Sequence, residues 1–151
     1  MRVCQFWTAA FLVVAIYATA APTLAQRPPQ SQGDAREAVA LNPVEAEKML
    51  TGMRTYLETI QGIVAALAEN DPSRVPALAM KSGAKMLEVV APTTGLKTPI
   101  GFSMLSFDTH DKFDKLADKA AKGSSRSELL KDLRDIMGNC ISCHASYRLA
   151  P

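Results

Sequence analysis

Near its end the chain reads NCISCHASYRLAP, and Cys140, Cys143 and His144 crowd into this short stretch. Elsewhere the chain holds one cysteine, Cys4, and one histidine, His110. Two thiols in a C-x-x-C spacing with an adjacent imidazole support three chemistries. They could form a thiol–disulfide couple, ligate a metal ion, or take up a haem. A redox dithiol usually sits in a βαβ setting, and this chain shows no strand-like alternation. A structural zinc site needs four ligands. The candidates would be Cys140, Cys143, His144 and His110, and neighbouring Cys143 and His144 would share one ion awkwardly. C-x-x-C-H is the attachment sequence of a c-type haem. Two thiols on one helical turn can add to the two vinyl groups of a porphyrin edge, and the next imidazole reaches the iron. The covalent links keep that imidazole at high effective concentration. The expectation is one covalent haem c per chain, bound by Cys140 and Cys143, with His144 as proximal iron ligand.

The elements that must position these residues begin after a leader. Arg2 precedes an apolar run from Phe11 to Ala21, and Thr23-Leu24-Ala25 places small residues before Gln26. This is the pattern of a cleaved secretory signal over residues 1–25. The run is short for a membrane span, so no membrane association is expected after cleavage. Cys4 would leave with the signal, and Cys140 and Cys143 would be the only cysteines of the mature chain. A disulfide between them would close so small a loop that it would scarcely restrict the unfolded chain. Residues 26–42, with two prolines and many polar groups, read as a flexible leader.

From Pro43 the hydrophobic pattern predicts four amphipathic helices and no strand. The first has Asn42 as N-cap, Pro43 at its first position and Glu45 and Glu47 in the first turn. Its seam, Met49, Met53, Tyr56, Ile60, Ile63 and Leu67, steps by three and four. The second starts at Asp71 or Ser73 and runs to about Val90. Pro76 is tolerated in its first turn, and Gly83 either weakens it or lets another group approach. Residues 91–101 read as a loop. The third helix, about 102–122, buries Phe102, Leu105, Thr109, Phe113, Leu116 and Ala120, and Gly123 stops it. The fourth opens on a Ser125–Glu128 capping box. One of its rows is Leu129, Leu133, Ile136 and Cys140, and another is Leu130, Met137 and His144. These rows predict that Cys140 and His144 point inward together. Short connections predict an all-α fold, an antiparallel up-down-up-down four-helix bundle over residues 43–151.

Composition narrows the function classes. The chain has 151 residues, 48% apolar and 21% charged, which fits one globular domain. A net charge of +2 without a Lys/Arg run gives no nucleic-acid surface. Lys112, Lys115, Lys119 and Lys122 form a stripe on the third helix, partly balanced by Asp111 and Asp118 at i, i+4 spacing. Such a stripe is either a solvated face or a surface that steers a redox partner.

A signal peptide, four helices and C-x-x-C-H in the last turns resemble the class II cytochromes c, that is, cytochrome c prime and its low-spin, Met-ligated relatives. The resemblance spans about residues 43–149. It is carried mainly by Cys140, Cys143, His144, Tyr147 and Arg148, because an aromatic and a basic residue commonly follow the histidine by three and four positions in that family. It implies that Tyr147 closes the haem edge and that Arg148, one turn beyond His144, sits beside the proximal face or a propionate. Tyr147 and Arg148 read equally as an amphipathic helix end with a cation favoured by the helix dipole. The family's first helix usually carries an aromatic–Arg pair one turn before the distal position, whereas here Arg54 follows Met53.

The resemblance implies a periplasmic monohaem cytochrome that transfers electrons to partner proteins. The sequence offers no second titratable constellation, no Gly-rich phosphate loop and no other metal set, so no catalysis is expected. A homodimer through the first two helices is compatible with it. In a bundle of this topology the start of the first helix lies level with the end of the fourth. The sixth iron ligand would then come from the first turns of the first helix, with Met53 as first choice and Met49 as second. Thioether ligation with histidine raises the potential of a haem, although methionine is also a common gap-filler in bundles. The alternative is an open, five-coordinate iron that binds nitric oxide or carbon monoxide. His110 is a further candidate ligand, but its charged neighbours Asp111 and Asp114 favour a partly exposed histidine.

Overall fold

The computed structural model describes residues 33–88 and 97–150. The signal-peptide reading of residues 1–25, the first part of the leader, the Val90 end of the second helix and most of the 91–101 loop lie outside the described residues. The described chain is mostly helical, and no helix in it is long and apolar enough to cross a membrane.

Helix α1 (Pro43–Ala68) starts where its capping residues place it. Asn42 Oδ1 accepts from the Glu45 N–H at 2.9 Å, and the Glu45 carboxylate accepts from the Asn42 N–H at 3.0 Å. A cap of this kind contributes about 1 kcal/mol. Asn70, with φ at 59°, turns the chain out of the helix ahead of Pro72.

The expected second helix is broken up. Its α-helical part, α2, is only Val75–Ala79, flanked by 3-10 turns at Pro72–Arg74, Met80–Ser82 and Ala84–Glu88. The break falls at Gly83, whose backbone is extended. There the Ala84 N–H donates to Asp114 Oδ2 of the next helix at 2.9 Å. A side chain thus takes a backbone donor that a continuous helix would have bonded internally. A Cβ at Gly83 would overlap the Asp114 carboxylate, so the close approach that the glycine permits is used.

Helix α3 (Ile100–Ala121) ends at Gly123, whose φ of +80° suits a residue without a Cβ. Helix α4 (Arg126–Ser146) opens on the expected capping box. Ser125 Oγ accepts from the Glu128 N–H, and Glu128 accepts from the Ser125 N–H. The core joins all four helices through Ile63, Leu67, Val75, Phe113, Leu129 and Ile136, each essentially inaccessible. Burying a side chain of this size stabilises the fold by about 1.5–3 kcal/mol.

One row read from the sequence needs correction. Leu130 and Met137 are 41% and 44% exposed, so their row of α4 faces outward. The lysine stripe of α3 is paired along much of its length: Lys112 with Asp108 (2.6 Å), Lys115 with Asp111 (2.5 Å) and Lys119 with Asp132 (2.9 Å). Exposed pairs of this kind contribute little to stability.

The chain also holds two short strands that the hydrophobic pattern did not predict. β1 (Glu37–Val39) pairs in parallel with β2 (Tyr147–Leu149), placing Glu37 opposite Tyr147 and Val39 opposite Leu149. Val39 is 1% exposed. The last residues of the leader are therefore part of the fold. Helix α4 stops at Ser146 instead of carrying Tyr147 and Arg148 into a further turn.

Candidate functional site

The buried row of α4, Leu129, Leu133 and Ile136, continues one turn later to Cys140. Its thiol points back to the Ile136 carbonyl at 3.7 Å. Cys140 and Cys143 are both half-buried and both free thiols, whereas His144 is exposed. The three residues line one cleft. Facing them are Met49, Gly52, Met53 and Tyr56 of α1. Phe102, Leu105, Thr109 and His110 of α3 and Met86 and Leu87 of the last 3-10 turn complete the walls. The space amounts to about 720 Å³, a figure that counts open solvent at the mouth.

The structure thus brings to one cleft the candidate attachment and iron-ligand residues, Cys140, Cys143, His144, Met49, Met53 and His110, whereas Tyr147 and Arg148 do not line it. Met49 and Met53 are about ninety residues from the thiols in the chain, yet both are half-buried against the same cleft. The expectation that Cys140 and His144 point inward together holds for Cys140. His144 sits at the exposed edge.

His110 departs from expectation. It is 3% exposed, not partly solvated. One ring nitrogen, Nδ1, lies 2.8 Å from the Ser82 carbonyl, which can only accept, so Nδ1 carries the proton. Nε2 then accepts from the Tyr56 hydroxyl at 2.7 Å. With both nitrogens engaged, the ring has no lone pair free for an iron ion. Burial pushes the His110 pKa down, against the opposing pull of the Ser82 and Gly83 backbone and the Asp114 charge. Burial likewise holds the Tyr56 phenol well above its ordinary range, and the Cys140 and Cys143 thiols act in the same direction.

A second polar group closes the same floor. Asn139, next to Cys140 in the chain, is 9% exposed. Its amide donates to Asp108 at 2.7 Å and to Thr109 Oγ1 at 3.2 Å, and its carbonyl accepts from Lys112 at 3.0 Å. Sequence reading did not single out Asn139 or the Ser82 carbonyl. The available signal was a polar residue one step from Cys140 on a helix otherwise patterned for burial.

Burial raises both thiols above the ordinary cysteine range, with the neighbouring Cys140 adding to the effect at Cys143. Among the described residues no three His, Cys, Asp or Glu side chains gather as a metal site. The side chains that could hold a cofactor in this apolar cleft are the two thiols and the imidazole of α4 and the two thioethers of α1. Comparison with protein-family models, curated proteins and solved structures finds no match to this chain. The functional reading therefore rests on the motif and on the cleft itself.

Proposed function

We propose that this chain is an exported monohaem c-type cytochrome that carries electrons in the periplasm. The observation behind this reading is the convergence of Cys140, Cys143 and His144 with Met49 and Met53 on one apolar cleft. Cys140 and Cys143 would hold the haem covalently, and His144 would be the proximal ligand. Met53, or failing it Met49, would be the distal ligand. A haem in this site would supply a one-electron iron couple. The chain's own residues would set the attachment spacing on α4, line the cleft with apolar side chains and bound its floor with hydrogen-bonded groups.

The finer architecture belongs to the same proposal. Lys119 pairs with Asp132, Thr109 with Asn139, and Phe102 with Tyr147. Positions descending along α3 thus meet positions rising along α4 and just past its end, as two neighbouring antiparallel helices of a four-helix bundle would.

A five-coordinate haem that admits nitric oxide or carbon monoxide is the second reading. It is favoured by the incomplete burial of both methionines at a cleft open to solvent. The deciding test of the first step is attachment. Protein produced with haem-maturation machinery should keep one haem per chain through acid–acetone extraction, and Cys140→Ala with Cys143→Ala should lose it. Extraction of the haem from the unaltered protein would overturn the proposal.

A further inference from the structure

The last turn of a helix leaves its carbonyls without internal partners and tends to fray. His144 lies in that turn of α4, two residues before its end. Its carbonyl is met from outside by the Arg36 guanidinium, with Nη1 at 3.2 Å, and the same nitrogen reaches the Tyr147 carbonyl at 3.5 Å. A cation at a helix C-terminus is also favoured by the helix dipole. Arg36 is itself held. Asp34 accepts from its Nε at 2.9 Å and from its Nη2 at 2.6 Å, a two-pronged pair that fixes the plane of the guanidinium. These bonds hold the Asp34 carboxyl down at about 2. Asp34 Oδ2 also stands 3.7 Å from the buried Nε of Arg148, which has no hydrogen-bond partner of its own.

Beyond the helix end, the ladder of β1 and β2 fixes Tyr147–Leu149, and the Ala150 N–H donates to the Val39 carbonyl at 3.0 Å. Tyr147 is turned onto α3, edge-on to Phe102 with ring centres 5.5 Å apart. The segment before α1 therefore holds the His144 carbonyl and the residues that follow it, although about a hundred residues separate the two stretches.

We propose that residues 34–39 are a strap that positions the iron ligand, with Arg36 as the positioning residue acting through the His144 backbone and Asp34 as its orienter. The proposal rests on the haem reading. Arg36 touches neither thiol-bearing residue in the bonds it makes, so its removal spares attachment and alters the setting of the imidazole.

The test uses the full chain matured with haem. Unaltered protein is compared with Arg36→Ala, Arg36→Lys and Val39→Ala by haem content, ferric electron paramagnetic resonance and thermal melting. Arg36→Ala is expected to keep one haem per chain and to show shifted or split g values. Arg36→Lys should recover the original spectrum in part, because an ammonium can still donate to one of the two carbonyls. Val39→Ala removes buried apolar contact from the strap and should lower Tm with the g values unmoved. Haem-loaded Arg36→Ala with unaltered g values overturns the positioning role. So does Val39→Ala moving the g values as far as Arg36→Ala, since strand stability alone would then account for both. Absence of haem from the unaltered protein is a different result, which sinks the haem reading and this inference with it.

Discussion

The Tyr56 hydroxyl donates to Nε2 of His110 at 2.7 Å, and the Nδ1–H of the same ring donates to the Ser82 carbonyl. Helix α1, the 3-10 turn that ends at Ser82 and helix α3 are thereby joined at the floor of the cleft. The Tyr56 ring also lies flat against Phe113, with centres 5.8 Å apart and planes 6° from parallel. The pair fixes the His110 tautomer and keeps a neutral donor–acceptor chain beneath the site.

Tyr56→Phe should keep the stacking on Phe113 and leave His110 Nε2 buried without a partner. The loss of an acceptor's only partner costs about 1–3 kcal/mol, and Tm should fall by several degrees. Calorimetry of the two proteins checks it. An unchanged Tm would show that the hydroxyl contributes nothing.

The buried imidazole also sets a pH dependence. Burial holds the folded-state pKa of His110 below its ordinary value of 6.5, so the unfolded chain binds this proton more readily. The contribution of His110 is therefore full above that value and is lost as the pH falls toward the folded-state pKa. Urea unfolding at about pH 7 and about pH 5 should show lower stability at the acid side. His110→Gln, which cannot titrate, should flatten that difference. An equal loss in both proteins would assign it to other groups.

Gly83 and Asp114 form a pair that a methyl group would break. Gly83→Ala would drive a Cβ into the Asp114 carboxylate, and overpacking of this kind costs about 1–3 kcal/mol. Gly83→Ala combined with Asp114→Ala should be less destabilised than the sum of the single variants, because the second change removes the clash. Additive losses in the double-mutant cycle would mean that the two residues do not interact.

Met53 and Met49 make opposite spectroscopic predictions. If Met53 is the sixth ligand, the ferric protein is low-spin with a sulfur-to-iron band toward the red. Met53→Ala then abolishes the band, and Met49→Ala leaves it in place. Reversed effects would assign the bond to Met49. A high-spin unaltered protein that takes up carbon monoxide when reduced would establish the open, gas-binding reading instead.

Local chemistry made the helix starts legible. Asn42 and Ser125 cap the helices predicted from them, because a short polar side chain satisfies the first free N–H groups wherever the neighbouring pattern is helical. Periodicity likewise placed Ile63, Leu67, Phe113 and Leu116 inside and carried the buried row of α4 to Cys140. The C-x-x-C-H spacing named the candidate chemistry, since thiol and imidazole reach are properties of adjacent residues. Tertiary structure alone decided the rest, because it depends on groups far apart in the chain. Asp114 interrupts the second helix at Gly83 by bonding the Ala84 N–H, an acceptor that the local sequence does not contain. His110 looked solvated beside Asp111 and Asp114, yet Tyr56 and Ser82 from other elements satisfy both ring nitrogens and allow it to be buried. The three-residue strand Glu37–Val39 is too short to show alternation, and it exists only because Tyr147–Leu149 presents unpaired backbone beside it.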